Sequence, residues 1–215
     1  MGKKENVESD KINKAFFSQR AIAFIIDVLL ISFASAILAT PFIDSKSIIK
    51  LNESNQEVVD KYVEGEINQK TYFTESMNIT YQLARKNGVL TLVTLFLEIL
   101  YFIVFQFYNK GQTIGKKIMK ICVSSTDGDL TLNQILVRAL IIDMILLDMI
   151  VFGFVIFASM NVYFYGQLFL EMIQYSVIFI SIFMMTGKRK RGLHDLITHT
   201  EVIKSNWRRK FKWEN

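Results

Sequence analysis

The chain has 215 residues, 51% hydrophobic and 13% aromatic, with 25 Lys and Arg against 20 Asp and Glu for a net charge of +5. That apolar content excludes a disordered chain, and a single proline and a single cysteine, Cys122, exclude collagen-like and disulfide-built architectures. The charges avoid four stretches almost completely, which marks a membrane protein rather than one soluble domain.

A hydrocarbon core ~30 Å thick needs roughly 20 apolar residues of helix. Four stretches qualify: 21–43, 89–108, 139–158 and 166–186. The second contains one charge, Glu98, and the fourth one, Glu171. Pro41 falls where the first helix leaves the bilayer, a position that tolerates it. Lys3 and Lys4 before an apolar run ending near Ala34-Ser35-Ala36 have the outline of a secretory signal. The late start of the run and Asp27 within it argue against cleavage.

The segments outside the spans set an orientation. Residues 1–20 carry +2, residues 44–88 carry −1, residues 109–138 carry +3 and residues 187–215 carry +6. Cytoplasmic flanks hold the excess of Lys and Arg. Both termini and the 109–138 loop are therefore expected in the cytoplasm, with 44–88 outside, in a multi-pass protein of the cell membrane.

The 44–88 segment contains helical-looking pieces and reads first as a solvated helix pair capping the spans, second as a docking surface. In the inner loop, residues 118–124 favour a strand, and Asp127-Gly128 offers a turn back through Asp129–Leu132 in a β-hairpin. A second candidate strand, 198–204, follows the last helix, so a small cytoplasmic β element is expected. Gly111, Gly115 and Lys116 lack the spacing of a phosphate-binding loop. Lys188 to Arg191 follow the fourth span directly, where basic residues snorkel to anionic headgroups and hold that end inside, a better use than nucleic acid. A second basic cluster, Arg208 to Lys212 between Trp207 and Trp213, looks like an amphipathic interfacial end. His194 and His199 are five apart, not a metal-binding helical pair, and no paired nucleophile and base stands out, so neither cofactor, metal nor enzymatic activity is expected.

Five carboxyl residues lie inside the spans: Asp27, Glu98, Asp143, Asp148 and Glu171. Each costs ~2.5–3.5 kcal/mol at a helix centre, so each needs a reason. Arg20 and Asp27 are seven apart, sharing a face about 10.5 Å apart along the axis, too far for a simple pair. Asp27 is therefore expected to meet a basic group from another helix, with Arg138 the natural candidate. Asp143 and Asp148, about 140° out of phase on one helix, cannot face one narrow cavity unless that helix is buried on two sides. Three readings stand. The acids line a cation or proton pathway; or Asp27 and Asp143 pair with Arg20 and Arg138 to lock helices; or they are protonated glue at an interface within the membrane.

Three segments in order resemble the RDD family of small bacterial membrane proteins. They are `SQRAIAFIID` with Arg20 and Asp27, `GQTIGKKIMKICVSSTDG` with Gly111, Gln112, Gly115 and Lys116, and `KRKRGLHDLITHTEVI` with His194 and Asp195. The resemblance covers the first span and about 89–203, with 44–88 looking like an insertion. It implies a second signature aspartate, Asp195 with Asp143 as rival, and transport of ligands, with cation/proton antiport in some members. Glu98, Asp148 and Glu171 stand outside the family pattern. Asp195 is expected either to cap or anchor the tail against the basic 109–120 loop or, with His194, to form a proton-linked pair.

The expectation is an all-α polytopic membrane protein with four transmembrane helices and a small cytoplasmic β element. Its partners would be the lipid bilayer, monovalent cations and protons, with Asp27 titrating and Arg20 or Arg138 setting its affinity. A homo-oligomer would complete so small a pathway. The alternative is a non-enzymatic accessory or regulatory subunit bound to another membrane protein.

Overall fold

The computed structural model describes residues 14–187 and 190–205. Lys188, Arg189 and the basic cluster Arg208 to Lys212 with its two tryptophans lie outside the described residues.

Helix α1, Phe17–Ala39, continues through a 3-10 turn at Thr40–Phe42 in which Pro41 occupies an early position, where its missing N–H costs nothing. The two halves of the outer insertion are both helices. Asp44 caps α2, Ser45–Val63, by accepting from the Ser47 N–H, and Asn68 caps α3, Gln69–Lys86, by accepting from the Thr71 N–H. The turn between them passes through Gly65 at φ +76°, and Tyr62 stacks on Tyr72 across it with ring centroids 4.6 Å apart. Only Asn87 separates α3 from α4, Gly88–Tyr108, a helix that widens into π-geometry over Ile99–Phe105. The Tyr81 hydroxyl donates to the Ala158 carbonyl at 2.8 Å, which ties the insertion to the far end of the bundle.

After α4 come α5, Ile114–Ile118, and β1, Ile121–Ser125, then α6, Leu132–Ile142, and α7, Ile145–Phe157. The last elements are α8, Met160–Thr186, α9, Leu193–Ile197, and β2, Thr200–Lys204. Among the described residues, α1, α4 and α8 are long and apolar enough to cross a membrane, and α6 with α7 gives a fourth crossing if the bent pair is one span. Phe33, Phe179 and Phe183 are each more than 70% exposed, the inverse of a soluble protein's surface and the mark of one facing lipid. The interior is narrow: Ile31 of α1, Leu95, Phe102 and Ile103 of α4, Ala139 of α6 and Ile145 of α7.

Three expectations need correction. The span expected at 139–158 is two helices meeting at 60°, broken at Asp143 and Met144, where Met144 takes the left-handed backbone at φ +63°. The first of the pair begins at Leu132, so Arg138 lies well inside a helix rather than at its start. The fourth span starts at Met160 because the aromatic residues before Gly166 extend the helix instead of forming a loop. The hairpin within the inner loop does not form. Thr131 instead caps α6, exchanging hydrogen bonds reciprocally with Gln134. β1 pairs antiparallel with β2, from Ile121 opposite Lys204 to Ser125 opposite Thr200. Lys14 bridges to Ile203 on the other side of β2, so the residues before α1 join the sheet. Its inner face, Ile121, Val123 and Val202, packs with Ala15 and Ala23 against the end of α1.

Candidate functional site

The sheet end of the bundle holds two enclosed carboxylates. Asp27 is 1% exposed and its oxygens are taken by protein donors. The Tyr101 hydroxyl donates to Oδ1 at 2.6 Å, the Gly115 N–H to the same oxygen at 2.7 Å, and the Thr113 hydroxyl to Oδ2. Tyr101 in turn accepts from the Ile114 N–H at 2.8 Å, and Thr113 caps α5 by accepting from the Lys116 N–H. A carboxylate that accepts this many bonds pins the inner loop to α1. Gly115 allows the approach, since a Cβ there would run into the Ala23 carbonyl oxygen and come within 2.8 Å of Asp27 Oδ1. Gly111, at φ +79°, and Gln112 fasten the same loop to β1. The Val123 N–H donates to the Gly111 carbonyl at 2.9 Å, and Gln112 Nε2 to the Ile121 carbonyl at 2.9 Å. Lys116 reaches inward, donating to the buried Gln106 Oε1 at 3.0 Å.

Asp195 is the second, with no exposed surface. Arg20 Nη1 donates to Oδ2 at 2.6 Å, Arg138 Nη1 pairs with Oδ1, and the Gly192 N–H donates to Oδ2 at 3.0 Å. The same guanidiniums reach further. Arg20 Nη2 donates to the Lys190 carbonyl at 2.7 Å, and Arg138 Nη1 to Thr200 Oγ1 at 3.0 Å. Three parts of the chain, α1, α6 and the segment after α8, are thereby joined at one carboxylate. Burial alone would raise the affinity of Asp195 for a proton. Arg138, His194, Arg20 and the Gly192 N–H outweigh it and hold the carboxyl well below its usual range. Burial and the neighbouring Arg138 push His194 down to about 3.

Arg138 therefore does not meet Asp27, and Asp195 does not rest on the 109–120 loop as its anchor. The two arginines converge on Asp195, leaving Asp27 to neutral donors from α4 and the inner loop. Arg20 and Asp27 do share a face of α1, but the returning C-terminal segment reaches one and the inner loop the other. Tyr101 and Thr200 carried no signal in the sequence. Thr113 did, as a hydroxyl residue just before a short helical run.

His194 makes the stability of this end pH-dependent. Between about 3 and 6.5 the unfolded chain binds a proton at this position that the folded chain refuses, so stability is full above pH 6.5 and declines as pH falls. The slope approaches about 1.4 kcal/mol per pH unit for one group. Asp195 adds to the loss only below about pH 4. Thermal unfolding in detergent from pH 7.5 to 4.5 is expected to show this decline, and His194→Gln to flatten it.

The remaining acids behave differently. Glu98 Oε2 is buried without a hydrogen-bond partner among the described residues. Glu98 lies within electrostatic range of Asp148 and Asp143, and Asp143 within range of Lys116, Arg138 and Asp27. The break in the third span removes the phase constraint, since Asp143 sits at the bend and Asp148 in the first turn of α7. Glu171 stands apart in α8, accepting from Gln167 Nε2 at 2.7 Å. No group of His, Cys, Asp or Glu among the described residues is arranged to hold a metal ion.

Nothing among curated proteins or solved structures matches the chain. The N-terminal half of α1 with Arg20 and Asp27, the glycine loop and the His194-Asp195 segment nevertheless meet as one unit, and they are the segments that carried the resemblance. The model of the RDD family matches residues 14–199, and this integral membrane protein belongs to that family.

Proposed function

We propose that the protein exchanges a monovalent cation for protons across the cell membrane, with both termini cytoplasmic, at the bend of the third span. One observation carries this: Glu98 lies within electrostatic range of Asp143 and Asp148, which sit at and just after a helix break, and the buried Glu98 Oε2 has no partner among the described residues. The break ends α6 beside Asp143, with the Ile141 carbonyl accepting from Gln174 Nε2 at 2.7 Å and the Ala139 carbonyl from the Asp143 N–H at 3.1 Å, and broken spanning helices elsewhere place such groups around cation sites. Each carboxylate holds a cation when ionised and releases it on protonation. The saturated Asp27 and Asp195 serve as pins for this frame rather than as carriers, so the role expected of Asp27 moves to Glu98. A second copy of the chain would complete the walls of so small a pathway.

The test is proton flux driven by a sodium or potassium gradient in proteoliposomes. Glu98→Gln is expected to lower flux at least ~10-fold. Asp27→Asn leaves flux per folded molecule within about twofold. Undiminished flux in Glu98→Gln overturns the assignment.

The accessory-subunit reading draws on the insertion, where Ile49, Val63 and Phe73 of α2 and α3 are exposed apolar residues. Deleting 44–88 separates the two: flux retained with loss of a co-purifying membrane protein favours the second.

A further inference from the structure

The first and last described segments place two lysines on one aromatic ring at the membrane edge. Phe16 stands immediately before α1, half-exposed, with Lys190 Nζ 4.1 Å and Lys204 Nζ 5.7 Å from its ring centroid. The two ammonium groups are thus no more than about 10 Å apart. Their positions follow from the core of the family site. Arg20 holds the Lys190 carbonyl, and Lys190 keeps a left-handed backbone at φ +49°, a strained geometry for a residue with a side chain. The Ala15 N–H donates to the Val202 carbonyl at 2.9 Å, bringing Phe16 beside the end of β2. Neither lysine has an ion-pair partner among the described residues. The carboxylate of β2, Glu201, is taken by Lys14 at 3.2 Å, and Asp195 is fully enclosed. The first turn of α1 has no acidic residue, so its positive end adds to the same field.

We propose that Phe16, Lys190 and Lys204 form a site for the phosphate headgroup of an anionic lipid. The site stands just outside the spans, Phe16 one residue before Phe17, where the first starts, and Lys190 four residues after Thr186, where the last ends. An aromatic ring at that depth sits among headgroups, and lysine stems lie along it while their ammoniums reach outward. Lipid is the occupant rather than free phosphate because exposed apolar residues on the Arg20 side of α1, Phe24 and Val28, lie one and two turns further along the span and would meet the acyl chains. This inference is independent of the transport reading.

The full chain in a neutral detergent is titrated with phosphatidylglycerol or phosphatidylcholine, and retained lipid is counted by native mass spectrometry. Roughly 25-fold preference for phosphatidylglycerol is expected, from two lysines each strengthening binding about fivefold. The double variant K190Q/K204Q should bring the two lipids within about twofold of each other, while K190R/K204R keeps the preference. Both lysines are partly exposed, so gel filtration should show a folded, monodisperse protein in each case. Removing two charges elsewhere on the inner loop, K117Q/K120Q, should leave the preference intact. Preference that survives K190Q/K204Q overturns the site. Displacement of phosphatidylglycerol by millimolar inorganic phosphate overturns the lipid assignment.

Discussion

Replacing Asp195 with alanine is expected to destabilise the protein by about 3–5 kcal/mol, the largest effect of any single change at the sheet end. The carboxylate has no exposed surface, and its removal leaves the guanidiniums of Arg20 and Arg138 enclosed without a counter-charge. The loss comes mostly from those stranded cations, not from the worth of the pair itself. A double variant, Asp195→Ala with Arg138→Met, should therefore be considerably more stable than the sum of the single losses. Thermal unfolding in detergent micelles measures both. A loss under about 1 kcal/mol in the single variant would mean that water reaches the arginines.

Asp27→Ala should cost a similar amount, about 3 kcal/mol or more, for a different reason. It strands donors rather than charges: the Tyr101 and Thr113 hydroxyls and the Gly115 N–H all end on this carboxylate. Asparagine retains an oxygen for Tyr101 and Gly115, and its amide can donate to the Thr113 hydroxyl, which accepts as readily as it donates. Asp27→Asn is accordingly expected to cost only about 1–2 kcal/mol. A second readout follows from what Asp27 holds. With the inner loop unpinned, trypsin should cut after Lys116 or Lys117 far faster in Asp27→Ala than in the native chain. Equal cleavage rates would show that β1 and Gln106 hold the loop unaided.

The elements differ in how much of them the sequence revealed, and the differences have physical causes. The first, second and fourth spans were visible because a lipid-facing helix is apolar on every side, and that is a property of composition. The break in the third was not. Asp143 and Met144 lie within an apolar run that hydropathy reads as continuous, and the left-handed backbone at Met144 depends on how α6 and α7 pack against α4. The strand at β1 was legible from its residues, but its partner was not. The Asp127-Gly128 turn is compatible with a local hairpin, and pairing with β2 prevails because it also brings Asp195 to Arg20 and Arg138.

The candidate site divides the same way. Asp27 was legible as a costly residue within an apolar segment and Arg20 and Arg138 as candidate partners, since a charge at such depth has to be compensated, whereas Asp195 was legible only through the family resemblance. The sequence by itself thus determined that this is a multi-pass membrane protein of the RDD family and which charged residues needed partners. Only the tertiary structure decided the partners. Arg138 and Asp195 are 57 residues apart, and Asp27 and Gly115 are 88 apart, so their union depends on which segments the bundle and sheet bring together. That choice saturates Asp27 and Asp195 and leaves Glu98 with a buried oxygen that has no partner among the described residues, because hydrogen-bond geometry, unlike insertion cost, is a property of the assembled site.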